Sequence, residues 1–244
     1  MAEPGVQSVE RALDLLEALE PGLPLGVSDI ARRAGLPTGT AHRLLATLVA
    51  RGYVRRDAGR RYAPGPAALR LADHAQRELA ALARPHLARL VDRVGETANL
   101  AILEGAHMVY VAQAPSPHTL RIFAAVGRRV PVHSTAVGKA VLAAMPPRER
   151  ARVVEQLDLT PPTPAAVSGP AELESALERV SAEGYALDDE EQEAGVRCVG
   201  VVVPRPGLYA AVSVSGPSER FTLEAARSAA PLVREAAEAL AEDL

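Results

Sequence analysis

The chain has 244 residues, a net charge of −3 and a single cysteine, Cys198. The length suits two domains, one cysteine excludes an internal disulfide, and no apolar run approaches the roughly 18 residues of a membrane span. Met1-Ala2-Glu3-Pro4 lacks the basic and apolar start of a signal peptide, so a cytoplasmic protein is expected.

Charge is unevenly placed along the chain. Residues 1–72 hold ten arginines against seven acids, and the remainder 17 basic residues against 23 acids. Between Ile30 and Arg61 there are eight arginines and one acid, Asp57. A basic N-terminal unit on an acidic body is the footprint of a phosphate binder. A solvated arginine-rich face is the plainer alternative.

Val9, Ala12, Leu13 and Leu16 recur at helical spacing and predict a helix over 8–20, ended by Pro21-Gly22. Ser28 is placed to cap a short helix over 29–34, with Asp29 in its first turn and Gly35 at its left-handed stop. Thr38 is placed to cap a third helix that runs to Arg51, apolar along Ala41, Leu44, Leu45 and Leu48, with Gly52 after it. Two short helices joined by a tight Gly-containing turn form a helix-turn-helix. The second of these enters the major groove and meets base edges with its N-terminal residues. The candidate DNA-reading residues are therefore Thr38, Gly39, Thr40, His42 and Arg43.

A three-helix bundle without DNA would show the same helices, and the next segment weighs against it. Residues 53–56 and 60–62 flank Asp57-Ala58-Gly59 as a hairpin, with Gly59 expected at positive φ. Arg55, Arg56, Arg60 and Arg61 on that hairpin read as a wing that grips the DNA backbone. A hairpin that only covered a core would not need four arginines.

Pro64 and Pro66 mark a boundary. A helix is predicted over 67–84, broken or restarted at Pro85, then a second to Val94. The apolar edge of the first, Leu69, Leu79 and Leu82, packs either on the body or on a second copy. Strands follow over 97–103, 108–114 and 119–125, then helices over 136–145, 147–157 and 173–183. Strands over 185–188, 198–203 and 208–215 and a closing helix over 222–244 complete the chain. Strands and helices without strict alternation predict an α+β domain around an antiparallel sheet. The Pro-rich stretch 159–170 shows no chemistry.

Read together, these segments resemble the IclR family of bacterial transcription regulators over nearly the whole chain. The resemblance rests on Ser28-Asp29-Ile30-Ala31, Leu36-Pro37, Thr40-Ala41-His42-Arg43-Leu44-Leu45 and Leu48 in the head. In the body it rests on Val126-Gly127, Pro131, His133-Ser134-Thr135-Ala136 and Gly138-Lys139-Ala140. Further on come Gly184-Tyr185, Asp188-Asp189-Glu190-Glu191, Gly195-Val196-Arg197-Cys198 and Ser213-Val214-Ser215-Gly216-Pro217. Each motif is weak alone; their order and spacing are specific. The resemblance implies a winged helix-turn-helix over 1–65, a helical linker over 66–95 and a GAF- or profilin-like effector domain over 96–244. It also implies a homodimer or dimer of dimers on double-stranded DNA with an approximately palindromic operator, acting as repressor or activator of a catabolic operon.

By the same resemblance, the effector pocket lies where Ala136 and Val137 open a helix opposite Ser213 and Ser215, with Asp188, Val196 and Cys198 between. Helix-start N–H groups favour an anion. Ser213 and Ser215 alternate with Val212 and Val214, so both hydroxyls project from one strand face. A small organic acid, aliphatic or aromatic, is expected. Asp188 would repel it, and so is expected to accept a ligand hydroxyl or orient a neighbour.

Other chemistries find less support. Gly138-Lys139 is not a phosphate loop, because His133 and Ala140 stand where Gly and Ser or Thr are required. Lys139 is the sole lysine beside 26 arginines. Cys198, His133, Asp188, Ser213 and Ser215 could build a nucleophile site, but no elbow or triad motif supports one. No catalytic residue, metal or cofactor is expected.

Overall fold

The computed structural model describes residues 6–19 and 23–244. By internal packing the chain divides into two compact units, one ending at Arg77 and the other Glu78–Leu244. No helix among the described residues is long and apolar enough to cross a membrane.

The first unit holds α1 (Gln7–Glu17), α2 (Val27–Arg33), α3 (Thr38–Ala50), and a hairpin of β1 (Val54–Arg56) and β2 (Tyr62–Pro64). Its core is Leu15, Leu19, Ile30, Ala31, Ala41, Leu45, Val54 and Tyr62. Leu25 pairs with Tyr62 as an isolated bridge, which ties the hairpin to the segment before α2. The predicted stop at Glu20, Pro21 and Gly22 lies outside the described residues.

Three local expectations are corrected here. Ser28 does not cap α2, which begins one residue earlier behind extended Gly26 and has no side-chain cap. Thr38 is the first residue of α3 rather than its cap, because Pro37 already supplies the extended backbone before the helix. In the hairpin turn it is Arg60, not Gly59, that takes positive φ, at 61°. The reason is local: the Asp57 carbonyl accepts the Arg60 N–H at 3.1 Å, and Asp57 Oδ1 accepts the Arg61 N–H at 2.8 Å. The residue that returns the chain to β2 therefore takes the left-handed conformation. As a result Arg60 and Arg61 sit in the turn and not on the second strand.

A single helix, α4 (Pro66–Val94), runs through Pro85. Proline removes one ladder hydrogen bond, so a break was the sequence expectation. The helix continues because Ala83, Leu87, Leu90 and Val91, on both sides of the proline, are buried in the core of the second unit.

The second unit is built on one six-stranded antiparallel sheet, ordered β5-β4-β3-β8-β7-β6. Its strands are β3 (Thr97–Glu104), β4 (His107–Ala114), β5 (Arg129–Pro131), β6 (Ala186–Asp189), β7 (Val196–Val202) and β8 (Ala210–Pro217). Its helices are α5 (Ala136–Ala144), α6 (Pro147–Val154), α7 (Pro170–Glu183) and α8 (Leu223–Asp243). One sheet face, with Leu100, Val199, Val212 and Val214, packs under α8 and the end of α4. The other face, with Ala101, Tyr110, Cys198 and Ala211, packs under α5 and α7.

The expected strand over 119–125 does not form. The carbonyls of Leu120, Ile122 and Ala124 are taken by the side chains of Arg220, Thr97 and Gln113. Side-chain donors thus replace a strand partner, and β5 pairs with β4 instead.

Candidate functional site

In the first unit, α3 stands behind the turn at Gly35, whose φ is +64°. Within α3, Ala41 and Leu45 are buried, while Thr38, Gly39, His42 and Arg43 are exposed and Thr40 is half-buried. A Cβ at Gly39 would meet nothing within 4 Å, so the helix start presents bare backbone to solvent. All four hairpin arginines are exposed. They are not equivalent. The Arg56 guanidinium lies 5.5 Å from the Tyr62 ring centroid, and Arg61 Nε is 3.6 Å from Asp57 Oδ2. Arg55 and Arg60 project without such a contact among those described.

In the second unit, the register brings together the expected effector residues. Cys198 pairs with Asp188 on one side and Ser215 on the other, and Gly200 pairs with Ser213. Val196, two residues before Cys198, shares its face. Ser213, Ser215 and Asp188 are buried.

Helix α5 begins directly over this face. Thr135 caps it, accepting the Gly138 N–H at 3.2 Å and donating to the Pro131 carbonyl at 2.8 Å. Two glycines allow the close seat. A Cβ at Gly200 would stand 2.9 Å from the Ala136 carbonyl carbon and 3.1 Å from the Val137 nitrogen. A Cβ at Gly138 would stand 2.2 Å from the Val132 oxygen. The first-turn N–H groups of Ala136 and Val137, which an α-helix leaves without ladder partners, are thereby held against the polar row.

Sequence reasoning missed two members of that row. Asn99 on β3 is fully buried and pairs with Ser213 on β8 and with Gln113 on β4. The signal was available: in Thr97-Ala98-Asn99-Leu100 polar and apolar residues alternate, so one face of that strand is polar.

The electrostatics of the row are dominated by burial. Burial pushes the Asp188 carboxyl up to about 7, against two N–H groups that favour its charge, those of Glu191 at 2.9 Å and Gln192 at 3.2 Å. Burial also pushes the Cys198 thiol and the Tyr110 hydroxyl up. Lys139 does not contact Asp188 directly; its ammonium is paired with Glu191, and both are largely buried. A guanidinium is larger and planar, so the retained lysine fits this narrow pairing. His133 is buried with neither ring nitrogen hydrogen-bonded, and burial pushes its pKa down. Among the described residues no cluster of His, Cys, Asp or Glu is arranged to hold a metal ion.

Two family models match the chain: the IclR helix-turn-helix domain over residues 8–58 and the bacterial transcriptional regulator IclR C-terminal domain over residues 73–242. The chain is 37% identical to the HTH-type transcriptional regulator BhcR of Paracoccus denitrificans, covering 89% of this chain and 80% of that protein. It is 33% identical to the transcriptional repressor IclR of Escherichia coli, covering 89% and 82%. An IclR homologue from Microbacterium hydrocarbonoxydans, solved in complex with 4-hydroxybenzoate, superposes with a TM-score of 0.63 at 28% identity, covering 97% of this chain and 98% of the other. With both family domains in order over most of its length, the chain belongs to the IclR family of bacterial transcriptional regulators, a family of DNA-binding, non-enzymatic proteins.

Proposed function

We propose that this regulator binds an approximately palindromic operator as a homodimer, in the cytoplasm, and that a small organic acid is its effector. The working parts are a head over 1–65, a linker over 66–95 and an effector domain over 96–244. The observation that carries the effector reading is the buried polar row under the start of α5, where Ser213 and Ser215 face helix-start N–H groups. The complex of a family member with 4-hydroxybenzoate supports the ligand class.

Two features support the DNA reading. Thr38, Gly39, Thr40, His42 and Arg43 lie at the start of α3, mostly off its buried side, and Arg55, Arg56, Arg60 and Arg61 surround the hairpin tip. An apolar groove formed within the first unit by α1, α3 and the start of α4 supports the dimer. Val9, Leu13 and Leu71 in it are each more than half exposed, and a second copy would cover them.

Selection from random duplexes tests the DNA arm. It should enrich half-sites one helical turn, about 34 Å, or a multiple apart; recovery of no common sequence at moderate salt overturns the reading. Within the selected site, Arg43→Ala should cost about 1–3 kcal/mol and relax one base position, whereas Arg60→Ala should weaken all sequences alike and lower the salt slope. Thermal-shift screening of organic acids, 4-hydroxybenzoate among them, tests the effector arm. The stabilisation found should disappear in the double variant Ser213→Ala, Ser215→Ala while operator binding persists. A shift that survives the double change places the effector elsewhere.

A further inference from the structure

The polar row has a direction, and it can be read from one atom. The carbonyl of Ala124 can only accept a hydrogen bond. The Gln113 atom 3.1 Å from it must therefore be the amide nitrogen, Nε2. The same nitrogen lies 2.9 Å from the Asn99 side chain. Both its hydrogens are thus donated, and the Asn99 atom that receives one must be Oδ1. That leaves Asn99 Nδ2 as the group 3.3 Å from Ser215 Oγ, and it donates there. Ser215 consequently accepts from Asn99 and keeps its own proton to give away. Asn99 and Ser215 are buried, so water does not compete for these positions.

Protons therefore point from Gln113 through Asn99 to Ser215. Gln113 is the head of this chain, and its anchor is a loop carbonyl rather than any group of the effector region. Cys198 stands opposite Ser215 in the register, and Asp188 stands opposite Cys198 on its other side. Asp188 Oδ1 accepts from the backbone N–H groups of Glu191 and Gln192.

We infer that Gln113 is a positioning residue for effector selectivity: by fixing the orientation of the Asn99 amide it makes Ser215 present a proton to the ligand, so that the site prefers a carboxylate to the corresponding amide. This rests on the effector reading given above. Reversal of the Asn99 amide would put Oδ1 against Ser215, which would then spend its proton on Asn99 and offer only lone pairs. A carboxylate meets repulsion there, while an amide N–H finds an acceptor.

Gln113→Glu is the direct test. The introduced carboxylate has no N–H to give, so Asn99 must turn its amide nitrogen toward it. Gln113→Met removes the donor without adding charge and separates amide orientation from simple repulsion of an anion. Wild type and both variants are titrated with benzoate against benzamide and lactate against lactamide at pH 8. A second readout needs no ligand: Cys198 is the only thiol, so the S–H stretching band in the infrared reports one residue, and Cys198→Ser identifies it.

The expected result is a loss of acid affinity by at least about tenfold in Gln113→Glu, the scale of one hydrogen bond to a charged group, with amide affinity held or raised. Gln113→Met should lose acid preference to a smaller degree. In both variants the S–H band should shift, because Ser215, opposite Cys198 in the register, turns its hydroxyl toward Asn99. Parallel loss of acid and amide affinity with an unmoved band would make Gln113 merely structural and overturn the inference, as would full acid preference in Gln113→Met. Should the wild type bind no acid, the effector reading fails, and the band alone decides the direction of the chain.

Discussion

The two faces of the six-stranded sheet are made by the same strands and differ in what they can do. Under α8 and α4 the face is largely apolar, with Leu100, Val199, Val201, Val212 and Val214, and its buried Arg197 is bonded to the Ser218 and Phe221 carbonyls. Under α5 the same strands offer Asn99, Cys198, Ser213 and Ser215, with Gln113 and Asp188 at the flanks. Apolar packing is non-directional, so the first face contributes stability without discriminating among molecules. Hydrogen bonds have direction and are costly when unmade, so the second face has the means to discriminate and contributes less stability. A sensor domain needs both, and strand alternation supplies them from one sheet.

That contrast can be broken experimentally. The largest stability effect is expected on the apolar face: Leu100→Ala, at a fully buried position, should lose about 2–5 kcal/mol. Chemical denaturation measures it, and ligand preference should be unchanged; altered preference would show that the faces are not separable.

Next is Asp188. Burial holds its carboxyl up at about 7, against roughly 3.9 in an unfolded chain. The folded state binds the proton more tightly, so the contribution to stability is complete below about pH 4 and is lost as the pH rises through about 7. Asp188→Asn does not titrate. From about pH 4 to about pH 8 the wild type should lose up to roughly 4 kcal/mol relative to this variant. Denaturation curves for both proteins across that range supply the test; a constant difference would mean that Asp188 is not held protonated by burial.

The smallest expected stability effect sharpens the contrast at the seat of α5. Gly200→Ala places a methyl 2.9 Å from the Ala136 carbonyl carbon, an overpacking of about 1–3 kcal/mol. The helix start must shift to admit it. Affinity for the acid should therefore fall by more than the stability does, which titration and denaturation of the same preparation would compare.

How much of this was legible in the sequence depends on the range of the interaction. The helices of the first unit were legible because Ala41, Leu45 and their neighbours repeat at helical spacing, and the Gly35 stop because left-handed backbone favours glycine. The caps were not: Ser28 and Thr38 have the right chemistry, but Gly26 and Pro37 already set the extended backbone before each helix. Pro85 reads as a break or restart because its cost is local, whereas the burial of Leu87 and Leu90 that offsets it is not. Residues 119–125 look like a strand by composition, yet their carbonyls are claimed by Thr97, Gln113 and Arg220 from elsewhere in the chain.

The sequence by itself determined the order of the elements, the charge asymmetry between head and body, and the family, since periodicity, turn residues and motif spacing are properties of neighbours along the chain. It also placed Ser213 and Ser215 on one strand face. Only the tertiary structure decided which residues stand beside them. Asn99 and Gln113 join the row because β3 pairs with β8 and β4, and α5 can lie on it because Gly200 has no side chain. The direction of the row was decided there too: it follows from the carbonyl of Ala124, which accepts from the Gln113 side chain only because the loop after β4 folds back beside that strand.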